Sequence, residues 1–326
     1  MVSSTATTVQ NTPLKVVVLG PTATGKTALG VALAKALQTD VISFDSQLVY
    51  RELAIGVAKP TEAERQGVVH HLMDWVDPTQ RCSAGTFARK AAKLLASFEA
   101  QQRPVVLVGG TGFYLRALFD PGHVPPVAID RDFRQAIADR LKAFPDTDLH
   151  AELHRLDPVR AGQLHPNDTG RLIRALEIIA ATGQPIPPLE ADGSQNRWAM
   201  ADDICLIGLR FADRTAHIRH IEARLQAMIE VGFLEETQAI LNTYGHCQAL
   251  QHAHGYPELV DVIEGRRKLP DAIEQIGINI RQYSRRQMTW FRSLPNVQWL
   301  DVDRHDPQTI VTIALETLHK RNKTRS

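Results

Sequence analysis

Residues 15–33 read KVVVLGPTATGKTALGVAL, and this stretch decides the fold. The apolar run Val16 to Leu19 is long enough for one buried strand, and Gly20, Pro21, Thr22, Ala23, Thr24, Gly25, Lys26 and Thr27 follow at once. That spelling is G-x-x-x-x-G-K-[ST], the phosphate-binding loop. Its glycines let backbone N–H groups turn inward around an oxyanion, its lysine supplies a mobile cation and its threonine offers a hydroxyl to Mg²⁺. Residues 28–37 read as a helix, whose N-terminus aims roughly half a positive charge at the bound phosphate. The stretch predicts a strand, a loop and a helix around a pyrophosphate-containing ligand, and is silent on what becomes of that ligand.

Working outward, residues 40–44 form the next strand, ending on Asp45, Ser46 and Gln47. Ligands of open α/β sheets bind at strand C-termini, so Asp45 is expected in the same crevice as the loop. It serves there either in catalysis or as a carboxylate that caps the following segment or holds Mg²⁺ indirectly. Val105 to Val108 is another buried strand, ending in Gly109, Gly110, Thr111 and Gly112, where a phosphoryl-transfer enzyme of this type usually carries an Asp for Mg²⁺. Ile204 to Leu209 reads as a return strand that rejoins the sheet.

Between these strands the texture changes. Pro121, Pro125 and Pro126 mark a linker, residues 130–182 are helical by periodicity, and residues 183–188 are a second breaker cluster. Leu141, Leu149, Leu153, Leu156, Leu164, Leu172, Ile173, Leu176 and Ile179 are the expected core of this segment. The predicted architecture is α/β: a P-loop NTPase-like parallel sheet core built from residues 14–120 and 201–326, with an inserted all-helical domain, residues 121–200, and a disordered tail, residues 1–13.

Composition excludes several classes. The 326 residues are 44% hydrophobic and 22% charged with a net charge of +1, so no global field recruits a polyanion and any such contact must be local. Cys82, Cys205 and Cys247 are few and dispersed, which suits a reducing cytosol. No apolar run approaches the roughly 18 residues of a membrane span. A soluble, cytoplasmic monomer is expected, with no membrane partner. His70 with His71, and His246, Cys247, His252 and His254, lack metal-ligand spacing.

Residues 213–231 read as a helix with Ile218, Ile221, Leu225 and Met228 as its core stripe and Arg214, Arg219 and Arg224 as solvated or salt-bridged cations. From Gly277 to Leu300 there is no acid, while Arg281, Arg285, Arg286 and Arg292 all occur. On a helix Arg281, Arg285 and Arg292 fall within about 40° of one another, opposite Tyr283, Trp290 and Leu294, a cationic face suited to phosphates. Arg171 and Arg174 lie one helical turn apart on the insertion.

Taken in order, GPTATGKT, DSQLVYRELAIGVAKP, HHLMDWVDP, VGGTGFYLRAL, HPNDTGRLIRALE, a helix opening on Asp213 and Arg214, HGYPEL and RQYSRRQMTWFR resemble the bacterial tRNA dimethylallyltransferases, also called tRNA isopentenyltransferases. The similarity runs from about Lys15 to Asn296. It implies transfer of a dimethylallyl group from dimethylallyl diphosphate to N6 of the adenosine just 3′ of a tRNA anticodon, with Mg²⁺ as cofactor. By resemblance, Gly20, Thr22, Ala23, Thr24, Gly25, Lys26 and Thr27 hold the diphosphate, Thr27 carries Mg²⁺, and Asp45 and Thr111 are catalytic. Ser46, Gln47, Arg171, Arg174, Gly255, Tyr256, Arg281, Arg285, Arg286, Gln287, Trp290 and Arg292 match tRNA contacts, and the insertion matches a domain for the anticodon stem-loop. The chain departs from the family's usual spelling at Gln47-Leu48, Pro257 and Ile280. The competing classes are a P-loop kinase using ATP and a non-catalytic RNA-binding protein.

Overall fold

The computed structural model describes residues 12–120, 127, 129–186 and 196–325. The expected tail lies almost wholly outside these residues, as do Pro121, Pro125 and Pro126 of the linker and Pro187 and Pro188 of the second breaker. The chain divides into two compact units, residues 1–119 with 198–326, and residues 120–197.

The first unit opens with β1 (Lys15–Leu19), α1 (Lys26–Ala36), β2 (Val41–Ser43), α2 (Glu62–Arg65), β3 (His70–His71), α3 (Ala84–Ala100), β4 (Val105–Gly109) and α4 (Gly112–Phe119). Six strands form one parallel sheet in the order β3-β2-β4-β1-β5-β6, where β5 is Ile204–Arg210 and β6 is Gln298–Asp301. The central position of β1 follows from its composition. Every residue of KVVVL is buried, because helices cover both faces of a parallel sheet and leave no polar side. Lys15 stands opposite Val105 of β4 on one side and Ile204 of β5 on the other. Val16 and Val18, two residues apart, face the same layer as Val106, Val108, Ile207 and Leu209, and pack against Leu29 and Leu33 of α1 and Ile310, Ala314 and Leu318 of a C-terminal helix. The two outer strands carry little sequence signal: β3 is two half-buried histidines, and β6 has a single buried residue, Leu300.

Between β4 and β5 the second unit runs through α5 (Arg131–Ala143), α6 (Leu149–Leu156), α7 (Pro158–Gly162) and α8 (Thr169–Thr182). Asp130, Asp148, Asp157 and Asp168 cap the four helices, each accepting a backbone N–H of the first turn, an interaction worth about 1 kcal/mol apiece. Leu149, Leu153, Leu172, Leu176 and Ile179 are buried as expected, joined by Ile137 and Ile178, and Leu141, Leu164 and Ile173 are partly buried against them. Leu156 does not belong to this core: it is 49% exposed, because the chain turns at Asp157, which ends α6 and caps α7.

The first unit resumes with β5, followed by α9 (Arg214–Glu230), α10 (Phe233–Tyr244), α11 (Gln248–His252), α12 (Tyr256–Ile263) and α13 (Leu269–Arg292), then β6 and α14 (Pro307–Arg325). Among the described residues no helix is long and apolar enough to cross a membrane.

Candidate active site

The loop after β1 is held in a shape that few side chains permit. Gly20 has φ 145° and lies so close to β5 that a Cβ would sit 2.3 Å from the Leu209 carbonyl oxygen. Ala23 and Gly25 also have positive φ, 62° and 80°, which turns successive N–H groups inward ahead of α1. A non-glycine residue in this region costs about 1–2 kcal/mol, so Ala23 stores strain at the loop. The loop is braced from within and without. Thr24 Oγ1 donates to Pro21 O at 2.9 Å, Gln287 Oε1 accepts the Thr22 N–H at 2.9 Å, and the His217 ring bonds Thr22 O at 3.0 Å. Lys26 Nζ donates to Pro21 O at 2.6 Å.

Asp45 stands just beyond the end of β2. Its Oδ1 accepts the Gln47 N–H at 2.9 Å. Thr111, just beyond β4, is tied to the same segment: the Ser46 N–H donates to Thr111 Oγ1 at 3.0 Å, and Thr111 Oγ1 donates to Ser46 Oγ at 3.2 Å. The glycines beside Thr111 allow α13 to approach. A Cβ on Gly110 would fall 2.2 Å from Gln287 Nε2, and one on Gly112 would strike the Trp290 ring at 2.2 Å. Gln287 Nε2 donates to Gly110 O at 2.9 Å, so one buried amide links the phosphate loop to the end of β4.

These elements form a pocket open to solvent, whose lining includes Lys26, Asp45, Gln47, Arg224 and Gln287 together with the aliphatic side chains Ile221, Leu225, Met228 and Ile280. Arg224 was expected on a solvated face. It instead lines the pocket half-buried, its guanidinium without a hydrogen-bond or ion-pair partner among the described residues. The signal was present in the sequence: Arg224 falls inside the stripe of Ile221, Leu225 and Met228, one turn from each end. Burial pushes the Lys26 ammonium down to about 8, Asp45 opposing the shift and Arg224 adding to it. Two cations against the single carboxylate of Asp45 in a partly desolvated pocket favour an anionic ligand.

A second anchor escaped sequence reasoning altogether. Glu236 of α10 accepts the N–H groups of Ala54, Ile55 and Gly56 at 3.0, 2.7 and 3.2 Å, and the Tyr256 hydroxyl donates to it at 2.6 Å. Gly56, Val57 and Ala58 of that loop line the pocket. Tyr256 is 0% exposed, and it therefore supports the loop from below and offers no surface to a polynucleotide. Gly255, at φ 92°, is the turn that begins α12.

The residues expected to meet RNA separate into groups. Arg285, Arg286 and Arg292 are exposed on α13, whereas Arg281 is paired with Glu222 of α9 at 2.8 Å; the missing acid comes from another helix. The packed face of α13 carries Ser284, Gln287 and Phe291, so Gln287 lies inside and not on the cationic surface. Tyr283 and Trp290 are half-buried. On α8 Arg171 is exposed beside Asp168, but Arg174 binds the buried Glu177 and the Val127 carbonyl. Two arginines one turn apart thus face different surroundings.

A family model described as IPP transferase matches residues 48–294. The tRNA dimethylallyltransferase of Koribacter versatilis (strain Ellin345) is 40% identical over 288 residues, covering 88% of this chain and 92% of the relative. That of Gloeobacter violaceus (strain ATCC 29082 / PCC 7421) is 42% identical over 291 residues, 88% and 91% of the two chains. Among solved structures, the full-length tRNA isopentenylpyrophosphate transferase of Bacillus halodurans matches with a TM-score of 0.68 and 35% identity, over 95% of this chain and 98% of that one. With the phosphate loop, Asp45 and Thr111 gathered at the ends of adjacent strands, and with this likeness spanning both units, the chain belongs to the IPP transferase family.

Proposed function

We propose that the protein transfers a dimethylallyl group from dimethylallyl diphosphate to N6 of adenosine 37, just 3′ of the anticodon in tRNA, and releases diphosphate. The observation that carries this reading is the mixed character of one pocket, in which Lys26, Arg224 and the loop stand with a carboxylate, Asp45, and an aliphatic wall. An allylic diphosphate has this same division into anionic and apolar parts.

In the reaction the N6–C1 bond forms, the C1–O bond to diphosphate breaks, and one N6 proton moves to Asp45. Adenine N6 is a weak nucleophile because its lone pair is delocalised into the ring, so a carboxylate that accepts its proton contributes about 10²- to 10⁴-fold. Lys26, Arg224 and the inward N–H groups stabilise the charge that develops on the departing diphosphate. Thr27, half-buried and without a hydrogen bond among the described residues, would offer its hydroxyl to Mg²⁺. No group of three or more His, Cys, Asp or Glu among the described residues is arranged to hold a metal, which suits an ion bound mainly through substrate oxygens and water. When bound, Mg²⁺ would neutralise diphosphate charge. The adenine must leave its stack to reach the pocket, at a cost of a few kcal/mol, roughly. Arg285, Arg286 and Arg292, exposed on α13, would offset this through phosphate contacts.

The test is incubation with Mg²⁺, radiolabelled dimethylallyl diphosphate and unmodified tRNA whose anticodon is followed by adenosine. Label in the RNA is expected. Phosphate transfer from ATP with no label in the RNA would support the kinase, a reading disfavoured because β4 ends in Gly109, followed by Gly110, without an acid.

The Lys26 environment adds a pH dependence. Its ammonium is charged below about pH 8 and lost above it, so KM for dimethylallyl diphosphate is expected to rise about tenfold between pH 7 and pH 9. A KM constant to pH 9.5 would mean that Lys26 keeps its proton.

A further inference from the structure

One side chain in the pocket has no part in the scheme above. His254, between α11 and α12, is half-buried and lines the cavity with Asp45, Gln47 and Tyr283. Among the described residues the other half-buried histidines all have hydrogen-bond partners: His70 on Val68 O, His71 on Asp40, His150 on Ala161 O and His217 on Thr22 O. Neither ring nitrogen of His254 has one among the described residues. Its position is nevertheless fixed. Its ring packs on Tyr283 with centroids 4.3 Å apart, buried Ala253 precedes it, and the left-handed Gly255 follows. A rigid imidazole with open nitrogens in a partly dry cavity has hydrogen-bonding capacity that a ligand must satisfy.

The pocket holds two kinds of substrate group, and they differ in what they ask of such a ring. Diphosphate is served by Lys26, Arg224 and the loop. A purine edge presents ring-nitrogen acceptors and the N6 donor, and a neutral imidazole presents one donor and one acceptor. We infer that His254 recognises the base, exchanging hydrogen bonds with the purine edge that carries the amine brought to Asp45. This rests on the function proposed above and adds a specificity-determining residue to it.

The charged and titratable groups facing this region are Asp45 after β2, Lys26 on α1, Arg224 on α9, and Tyr283 and Arg286 on α13. Burial holds the His254 ring below its ordinary range, Arg286 lowers it further and Asp45 pulls the other way. The ring is therefore neutral at pH 7. Acid converts it to an imidazolium, which has no acceptor and is drawn to the Asp45 carboxylate.

The experiment compares wild type with His254→Asn and His254→Phe in the labelled transfer assay, varying tRNA and dimethylallyl diphosphate separately between pH 5.5 and 8. Wild-type label transfer is the control: its absence overturns the proposed function itself. Given that activity, His254→Phe is expected to lower kcat/KM for tRNA by about tenfold or more at pH 7.5, with KM for dimethylallyl diphosphate within about twofold of wild type. His254→Asn keeps a donor and an acceptor, so it should recover most of that loss. Full kcat/KM for tRNA in His254→Phe, equal losses toward both substrates, or no recovery in His254→Asn would each overturn the assignment.

Discussion

Replacing Asp45 with asparagine is expected to lower kcat for dimethylallyl transfer by about 10²- to 10⁴-fold, equivalent to about 3–5 kcal/mol of transition-state stabilisation. The substitution isolates the proton-accepting role because asparagine keeps the shape and the acceptor that receives the Gln47 N–H at 2.9 Å. The Thr111 bonds to Ser46 do not involve the Asp45 side chain, so the junction between β2 and β4 should survive. tRNA binding, measured by filter retention, should change by less than about threefold, since phosphate contacts dominate affinity. Equal losses in binding and transfer would make Asp45 a structural carboxylate, the alternative that its place after β2 left open. Thr111→Ala provides the contrast, because it removes the hydroxyl that bridges to Ser46 and leaves the base intact.

What the sequence revealed of this site divides along physical lines. The loop of residues 20–27, Asp45 and Thr111 were legible because each belongs to a local pattern: a spacing that only a phosphate cradle requires, or a polar residue directly after a buried strand. The helical character of the insertion was legible for the same reason, through its periodicity, whereas its four aspartate caps became visible only in the structure. Contacts between distant segments were not. Gln287 reaches Thr22 and Gly110, Glu236 reaches a loop near residue 55, and Glu222 neutralises Arg281 from a different helix. No spacing rule encodes such meetings, because which face of a helix packs is decided by the partner that arrives. The angular reading of α13 put the packed side around Tyr283 and Trp290, whereas burial centres on Ser284, Gln287 and Phe291, about a quarter turn away. Arg224 and Tyr256 changed places in the same way, one thought solvated and found in the pocket, the other thought exposed to RNA and found in the core.

Arg174 is the last of these reversals, and it leads to the largest expected effect on stability. In the second unit Glu177 is 1% exposed and receives the Asp130 N–H at 2.8 Å, two bonds from Arg134 at 2.8 and 2.9 Å, and one from Arg174 at 2.5 Å. Burial alone would push its carboxyl up, but these donors outweigh it and hold the group at about 2. Against an unfolded value near 4.5 this corresponds to about 3 kcal/mol, present above pH 4.5 and lost as pH falls toward 2. Glu177→Ala is therefore expected to destabilise the insertion by about 3 kcal/mol or more, because two arginines lose their shared counter-charge and the first turn of α5 loses its brace. The check is urea unfolding of the full-length protein, followed by proteolysis within residues 131–182. The difference between wild type and Glu177→Gln should be largest near pH 7 and shrink as the wild type loses its own advantage between pH 4.5 and 3. A difference that stays constant over that range would remove the carboxylate from the account.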